Sequence, residues 1–471
     1  MSRMWAGQDY LALCASCLKN GELFEDPLFP GDFSDPNIEW KRPPEFCSNP
    51  KFIESGSSSM DVCQGALGDC WLLSTLSSLT LHQSLFSKVV PTDQSFSPSD
   101  GYQGIFHFKL WQFGEWVDVV IDDKLPTRSG RLLYSRSDTP TEMWSALLEK
   151  AYAKVCGGYS VLQGGTIAET LEDFTGGMAE SVSLSRYTSE EVWEMVVEAE
   201  RRQSLMACYI QVSDAADAGR VNEDGLVQGH AYSVLGAQEV KLCSGEVTLI
   251  RLRNPWGFTE YKGPWSDQSS EWMSVSDEER RALNQQREDG AFWMHCEDFC
   301  SLFSWIVICT SCLDSSQYKV TQIRGRWERG VNAGGGRRLK SFFTNPQLRL
   351  RVGGPSASEV ESAIGLGSGE RWTVLLELMQ TDKRATKLHI SCHLYKVPED
   401  MVSRPSLDRG FFTRNRSVAD TGDPQNTRGV MVRASLTPGE YVIVPSTYDA
   451  NQEGGFYIRA YCAKETENRM F

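Results

Sequence analysis

The chain has 471 residues, of which 41% are hydrophobic and 23% charged, and its formal net charge is -15. This length allows roughly two to four domains, and the composition is that of an ordinary globular protein. The acidic balance argues against a nucleic-acid partner, because such proteins usually present a basic surface. An excess of carboxylates suits divalent cations and a solvated acidic surface equally well, so composition alone does not choose between them.

The N-terminal segment MSRMWAGQDYLALCASC does not resemble a secretion signal, because it lacks a cationic start and a long apolar run. No stretch reaches the length of a transmembrane helix. We therefore expect a cytoplasmic protein, in which the 14 cysteines stay reduced and are mostly small buried hydrophobic residues.

The first part of the sequence predicts helices and one β-hairpin. Residues 1–25 predict an N-terminal anchor helix, and residues 26–164 predict a first subdomain. In that subdomain the apolar spacing of CWLLSTLSSLTLH predicts a helix that begins at Cys70. The block GIFHFKLWQFGEWVDVVIDD alternates with period two around Gly114 and predicts a hairpin, and MWSALLEKAYAKV predicts a further helix. A group of glycines between 157 and 165 marks the end of the subdomain.

The second part begins with helices and then changes to strands. Residues 165–312 predict a second mixed subdomain, with helices at ETLEDF and SEEVWEMVVEAERR, followed by strands at SLMACYIQV, HAYSVLGAQEV and VTLIRLRNPWG. After residue 312, short strands recur between turns: LRLRV, RWTVLLELM, LHISCHLYKV, VMVRASL, EYVIVPS and GFYIRAYC. This spacing predicts an antiparallel β-sandwich over residues 313–471.

Cys70 has the surroundings that a nucleophilic thiol requires. The thiolate is the reactive form, and the positive end of a helix dipole stabilises it. Cys70 follows the turn residue Gly68 and begins a helical pattern, a combination that none of the other cysteines has. Gln64, on the far side of the turn, can fold back beside the Cys70 N–H and supply the second donor of an oxyanion hole.

His230 and Asn254 complete a constellation for nucleophilic catalysis. His230 follows a glycine at the head of an apolar strand, which suits a base that must be held rigidly. Asn254 ends the next strand, and neighbouring antiparallel strands can bring its carbonyl to the imidazole N–H and select the tautomer. A single cysteine or histidine in such a position is more often a core residue. The residues alone therefore leave a thiol active site and a structural role as equal alternatives.

The motifs QGALGDCWLL, GHAYSVLGA and LRNPWG together resemble the calpain family of calcium-dependent cysteine proteases. The segments EDFTGG, PWSDQSSEW, EDGAFWM, GRWERGVNAGG and PGEYVIVPST agree with the conventional calpains, so the resemblance extends from about Gly7 to about Cys462. It implies an α+β fold, in which a papain-like cysteine protease core of two subdomains is followed by an antiparallel β-sandwich domain.

The resemblance implies a role for each candidate residue. Cys70 would be the nucleophile, His230 the general base and acid, and Asn254 the residue that orients the histidine. Gln64 would be the oxyanion donor. Trp256 resembles the gating tryptophan that wedges between the two protease subdomains when calcium is absent.

Calcium is the activating cofactor that the resemblance implies, with one site in each half of the protease core. The positions that match the first site are Glu54 and Gly56, through main-chain carbonyls, and Asp61 and Glu142, through carboxylates. The positions that match the second site are Glu260, Asp267, Arg287 (through its carbonyl) and Asp289. Oxygen ligands suit a hard cation such as calcium. Without the resemblance, a solvated acidic surface is the simpler interpretation of these residues.

Three features depart from the family pattern. The family's EDGEFW motif contains Ala291 in place of the second glutamate, so we expect the second site to bind calcium more weakly or to be completed by water. The sequence stops at Phe471 without a penta-EF-hand domain, which predicts that a small regulatory subunit does not bind. The acidic loop of the sandwich is reduced, which leaves phospholipid contact through that domain open; its acids are Glu359, Glu361 and Glu370.

The predicted function is limited proteolysis of intracellular proteins by a calcium-dependent cysteine endopeptidase. One alternative is a catalytically weak calpain-like scaffold or regulatory binding protein, which Ala291 and the missing domain would allow. The other is a transglutaminase-like acyltransferase, which also has a tryptophan after its cysteine. Such an enzyme would have aspartate as the third member, where this chain has Asn254.

Overall fold

The computed structural model describes residues 3–31, 35–54, 56–242, 245–310, 319–353, 371–382 and 387–464. The chain divides into two compact units, Met1–Cys312 and Leu313–Phe471. Each unit contains its own buried apolar clusters, and both units combine helices with sheets. All the candidate catalytic residues lie in the first unit.

The first unit is a mixture of helices and antiparallel sheets. Its helices are α1 (Tyr10–Asn20), α2 (Pro43–Phe46), α3 (Cys70–Leu79), α4 (Gln83–Val89), α5 (Trp144–Cys156), α6 (Ile167–Thr175), α7 (Ser189–Arg201), α8 (Asp277–Leu283) and α9 (Cys296–Leu302). Its strands are β1 (Arg3–Met4), β2 (Glu39–Lys41), β3 (Ile105–Gln112), β4 (Glu115–Asp122), β5 (Leu125–Arg128), β6 (Arg131–Leu132), β7 (Met178–Ser183), β8 (Leu205–Tyr209), β9 (Ala231–Leu242), β10 (Gly245–Arg253), β11 (Ala291–His295) and β12 (Trp305–Thr310). The strand orders are β1–β4–β3, β2–β5–β6 and β11–β10–β9–β8–β12–β7. In the described part of the chain, no helix combines the length and apolarity needed to cross a bilayer.

Helix α3 is surrounded by protein on all sides. Its sequence has apolar residues at helical spacing, but every residue from Trp71 to Leu79 is buried, including the serines and threonine between the leucines. These hydroxyl groups are tolerated because they bond to main-chain carbonyls. Ser74 and Thr75, for example, each donate to Trp71 O at 3.3 Å. The helix that begins at Cys70 is therefore held rigidly by its surroundings.

The predicted hairpin and the helix that follows it are both present. Strands β3 and β4 pair in antiparallel register and turn at Gly114, whose φ of 95° favours glycine. Helix α5 covers the predicted segment almost entirely. It ends where Gly157 takes up a left-handed conformation, which is a common C-terminal cap.

The six-stranded sheet contains the three strands predicted after residue 200, and all its pairings are antiparallel. Strands β9 and β10 are neighbours in its interior. Helices α7 and α9 share a buried apolar cluster with this sheet, and a separate cluster surrounds helices α3 and α5.

The N-terminal helix is shorter than the predicted segment 1–25. Helix α1 spans only Tyr10–Asn20, because the Asp9 side chain caps its first turn and Gly21 ends it in a left-handed conformation. None of its residues is buried, and Leu11 and Leu18 are 75% and 70% exposed. The opposite face of the helix nevertheless packs within the unit, because Tyr10, Leu13, Cys14 and Cys17 lie against a small buried cluster of Phe24, Ile105 and Val120.

The second unit consists mainly of two four-stranded antiparallel sheets. Its strands are β13 (Lys319–Trp327), β14 (Leu348–Val352), β15 (Trp372–Gln380), β16 (Ile390–Lys396), β17 (Ala419–Asp420), β18 (Gly429–Leu436), β19 (Gly439–Thr447) and β20 (Gly454–Lys464), and its helix is α10 (Arg409–Arg414). The strand orders are β13–β20–β15–β18 and β14–β19–β16–β17, and both sheets contribute side chains to one buried cluster. The six predicted strands are present. Strand β13 is absent from the prediction because lysine and arginine occupy its exposed positions, and the acidic loop at Glu359, Glu361 and Glu370 lies outside the described residues.

Candidate active site

Cys70 is the first residue of α3, as predicted, and its side chain is partly exposed. The preceding turn packs closely against another loop. The Gly68 N–H donates to Gln163 Oε1 at 3.0 Å, and a Cβ at Gly68 would lie only 2.5 Å from Gln163 Nε2. A side chain at Gly68 would therefore displace the Gln163 amide that accepts this N–H, whereas the Gly68 backbone is not left-handed.

The Cys70 thiol is neutral in this conformation. Burial raises the pKa of Cys70 to about 11, although the N–H groups of Ala231 and Trp71 act in the opposite direction. The negative charge of Asp69 also raises this pKa. The contact with the Ala231 N–H brings the sulfur beside the residue that follows His230.

His230 and Asn254 form a buried hydrogen-bonded pair, with His230 Nε2 2.8 Å from Asn254 Oδ1. The Asn254 amide is oriented by its own Nδ2 group, which donates to Thr259 O at 2.9 Å and to Phe258 O at 3.3 Å. Asn254 Oδ1 therefore faces the imidazole and accepts the Nε2 hydrogen, which leaves His230 Nδ1 as the acceptor nitrogen. Burial lowers the pKa of His230 to about 4, so the ring is neutral and able to take a proton.

Strands β9 and β10 hold this pair at one end of the six-stranded sheet. His230 immediately precedes β9 and Asn254 immediately follows β10, and the two strands are antiparallel neighbours, as predicted. The Asn254 N–H donates to Gly290 O at 2.8 Å. Gly290 has a φ of 82°, and a Cβ at this position would lie 2.6 Å from Asn254 O, so a side chain would displace the loop that supports Asn254.

Arg253 connects the strand before Asn254 to the segment before Cys70. Its guanidinium is buried, and Nη1 donates to Val62 O at 2.8 Å and to Ser77 Oγ at 3.1 Å. This residue was not predicted from the sequence. The signal in the sequence is the presence of Arg251 and Arg253 among the apolar residues of VTLIRLRN, because a buried cation must find hydrogen-bond acceptors.

Three further hydrogen bonds connect the same parts of the unit. Ser233 Oγ donates to Ser74 O at 2.9 Å, Ser78 Oγ donates to Met206 O at 2.7 Å, and the Gln64 N–H donates to Pro255 O at 2.8 Å. Each bond joins α3 or the turn before it to the six-stranded sheet or to the loop after β10. These contacts set the position of Cys70 relative to the histidine and the asparagine.

Gln64 and Trp256 lie beside the other three residues. Gln64 Nε2 donates to Leu67 O at 2.6 Å, and among the described residues no donor reaches Gln64 Oε1. One N–H of the Gln64 amide is therefore engaged in this conformation. The ring centroid of Trp256 lies 5.1 Å from that of His230, and the Trp256 N–H donates to Asn254 Oδ1 at 3.0 Å.

Asp61 and Glu142 are brought together in the first acidic group. Burial raises the pKa of Glu142 to about 7, and the nearby charge of Asp61 raises it as well. Glu142 Oε1 accepts the Glu54 N–H at 2.7 Å, and Glu142 Oε2 accepts the Ser137 hydroxyl at 2.9 Å. Asp61 Oδ2 accepts the Ser58 N–H at 2.6 Å. Neither serine was predicted from the sequence.

Glu260, Asp267 and Asp289 form the second acidic group. Burial raises the pKa of Glu260 to about 7, and the charges of Asp267 and Asp289 raise it as well. Burial also raises the pKa of Asp267, whereas the Arg287 N–H, which donates to this carboxylate, lowers it. Ala291 lines a pocket together with Asp267 and Asp289, so the position of the missing acid faces this group.

Within the described ranges, no group of three or more His, Cys, Asp or Glu side chains is gathered to hold a metal ion. The ligand sets expected from the sequence combine main-chain oxygens with carboxylates. The positions for such oxygens are those of Glu54, Gly56 and Arg287. A donor set made of oxygen alone fits a hard cation such as calcium.

Comparison with known proteins gives matches along almost the whole chain. Residues 24–310 match the family described as "Calpain family cysteine protease", and residues 323–461 match "Calpain large subunit, domain III". The chain is 44% identical to the calpain-1 catalytic subunit of Mus musculus, over 98% of this chain and 68% of that protein. It is 43% identical to the calpain-1 catalytic subunit of Homo sapiens, over 98% of this chain and 67% of that protein. It is 42% identical to the calpain-2 catalytic subunit of Bos taurus, over 99% of this chain and 69% of that protein.

Proposed function

Because this chain belongs to the calpain family of cysteine proteases, we propose that Cys70, His230 and Asn254 form its catalytic triad. The family gives the chain a cysteine endopeptidase activity on proteins. The observation that carries the residue assignment is the 2.8 Å contact between His230 Nε2 and Asn254 Oδ1, which leaves Nδ1 free to accept the thiol proton. The contact between the Cys70 sulfur and the Ala231 N–H supports the same assignment.

The proposed reaction is acyl transfer through a thioester. His230 Nδ1 takes the Cys70 proton, and the sulfur attacks the carbonyl carbon of the scissile peptide bond. The Cys70 N–H and the side-chain amide of Gln64 stabilise the developing oxyanion. His230 then returns the proton to the leaving amine, and a water molecule, deprotonated by His230, hydrolyses the thioester. Asn254 keeps the imidazole in the required tautomer throughout.

Calcium activation follows from the family, and we assign the ligands to the two acidic groups. The positions are Glu54, Gly56, Asp61 and Glu142 in the first group and Glu260, Asp267, Arg287 and Asp289 in the second. When bound, calcium supplies positive charge that offsets the repulsion among these carboxylates. The Trp256 ring beside His230 and the neutral states of the thiol and imidazole suit an inactive, calcium-free state. We therefore assign Trp256 a gating role.

The finer architecture is part of the proposal. We interpret residues 1–25 as an N-terminal anchor, 26–164 and 165–312 as the two papain-like subdomains, and 313–471 as the calpain-type β-sandwich. The two largest buried clusters of the first unit and the cluster shared by both sheets of the second unit support this division. We place the protein in the cytoplasm with protein substrates, and the β-sandwich is the surface on which phospholipid contact would be tested.

The direct test is cleavage of casein by the purified chain at increasing calcium concentration. We expect cleavage that requires calcium and disappears in Cys70→Ala. Asn254→Ala should lower kcat by roughly 100-fold, because a histidine in the wrong tautomer loses its role in proton transfer. Cys47→Ala, which removes another partly exposed cysteine, should retain activity. An inactive wild-type chain at millimolar calcium would contradict the proposal and favour the scaffold alternative.

A further inference from the structure

Asp69, the N-cap residue of α3, does not cap its helix. Aspartate is among the best N-cap residues because its carboxylate accepts main-chain N–H groups of the first turn. The Asp69 side chain makes no such bond. It is fully buried, and among the described residues no donor reaches either of its oxygens in normal hydrogen-bond geometry.

The carboxyl group that faces Asp69 belongs to Glu149 of α5. Glu149 is 1% exposed, and both its oxygens lie 3.2 Å from the Ser135 N–H. The polar groups around the two carboxyls are the Gln64 amide, the Cys70 thiol and the buried Tyr159 hydroxyl. In the part of the chain that the structure describes, neither carboxyl forms an ion pair with a lysine or arginine, and no cation contributes to the environment of either.

Two buried carboxylates without a cation cannot both ionise at neutral pH. Burial raises the pKa of both groups, and the charge of Asp69 raises the pKa of Glu149 further, so Glu149 retains its proton. A protonated Glu149 can donate a hydrogen bond, and the Asp69 oxygens are acceptors without a donor in normal hydrogen-bond geometry. One shared proton therefore satisfies both groups.

We propose, on the basis of the triad assigned above, that Asp69 and Glu149 share one proton and act as positioning residues for the Cys70 thiolate and the oxyanion site. The shared proton holds the Asp69 carboxyl in the interior, beside Gln64. The first N–H groups of α3 then stay available to the Cys70 sulfur and to the substrate oxyanion. Without Glu149, the Asp69 carboxylate would turn to cap the helix, which would occupy these N–H groups and place a negative charge beside the thiolate.

The first experiment compares Glu149→Ala with Glu149→Gln in the full chain. Glutamine has the shape of a protonated glutamate and can donate to Asp69 while accepting the Ser135 N–H. We expect Glu149→Gln to keep at least one third of the rate at which iodoacetamide alkylates Cys70 at pH 7, measured on the Cys70 peptide by mass spectrometry. Glu149→Ala should lower that rate at least tenfold and shift its pH profile to higher pH. Equal losses in both variants, or no loss in Glu149→Ala, would overturn the proposal.

The second experiment separates positioning from loss of packing. In Asp69→Ala/Glu149→Ala, no carboxyl is left to cap α3, so alkylation of Cys70 should be faster than in Glu149→Ala alone, although the double variant removes more buried atoms. A double variant that reacts as slowly as the single one would overturn the proposal. The melting temperature of each variant identifies any variant that fails to fold. If an alanine variant does not fold, the alkylation rate of Glu149→Gln still tests the proposal. Alkylation does not require proteolysis, so a failure of the protease assignment would be seen separately in the casein assay.

Discussion

The substitution Ala291→Glu is expected to strengthen calcium binding at the second acidic group. Ala291 begins strand β11 and lines a pocket with Asp267 and Asp289. A glutamate at this position would add a fourth carboxylate to the group that contains Glu260. The wild-type chain is expected to need a higher calcium concentration for this reason.

The exposure of the site sets the size of the effect. Glu260 and Asp267 are only partly buried, so the effective dielectric constant around these carboxylates is taken to be closer to that of water than to that of a protein interior. For a carboxylate about 5 Å from a doubly charged ion, at a dielectric constant of about 80, the Coulomb attraction is about 1.7 kcal/mol. This corresponds to roughly a 15-fold gain in affinity for calcium.

The assay is calorimetric titration of calcium into Ala291→Glu, in the Cys70→Ala background so that proteolysis does not interfere. The matched control is Ala291→Gln, which has nearly the same shape without the charge. We expect the affinity of the weaker site to rise for glutamate and to change little for glutamine. An equal change for both variants, or no change for glutamate, would refute the assignment of this group as a calcium site.

Two further predictions concern buried ionisable groups. The pKa of His230 is about 4 in the folded chain and about 6.5 in a model peptide, so the unfolded chain binds the proton first as the pH falls, and stability is lost from about pH 6.5 down to about pH 4. The free energy of unfolding is measured in urea without calcium for the wild type and for His230→Gln. In this pH window the wild-type value should fall, relative to that of the variant, by up to about 1.4 kcal/mol per pH unit. Equal pH slopes for the two proteins would contradict the burial of a neutral imidazole. Lys154 Nζ is buried and donates to Gln8 Oε1 and Asp26 Oδ2 at 2.5 Å each. Lys154→Ala should therefore lower the free energy of unfolding by about 3–5 kcal/mol, because Asp26 would be left as a buried charge. Lys154→Ala/Asp26→Asn should recover part of this loss of stability. If it recovers none, the unpaired charge of Asp26 is not the cause of the loss.

Several parts of the candidate site follow from local sequence patterns. The start of α3 at Cys70, the turn at Gly114 and the neighbouring strands that end near His230 and Asn254 were all predicted. These features depend on apolar periodicity, turn residues and strand length, all of which can be read from a short stretch of sequence. The predicted extent of α1, residues 1–25, is longer than the helix observed. The Asp9 side chain caps the first turn and Gly21 ends the helix, and these two residues set its length more strongly than the apolar spacing does.

The sequence by itself determined the family, the elements with clear periodicity and the identity of the triad candidates, because their motifs are contiguous. Only the tertiary structure decided which distant groups meet, such as Asp69 with Glu149 and Arg253 with Val62. It also decided the protonation states, because the pKa of a buried group depends on how completely water is excluded and which charges lie nearby. Neither the contacts between distant groups nor the protonation states can be predicted from a local pattern, because both arise when segments far apart in the sequence pack together.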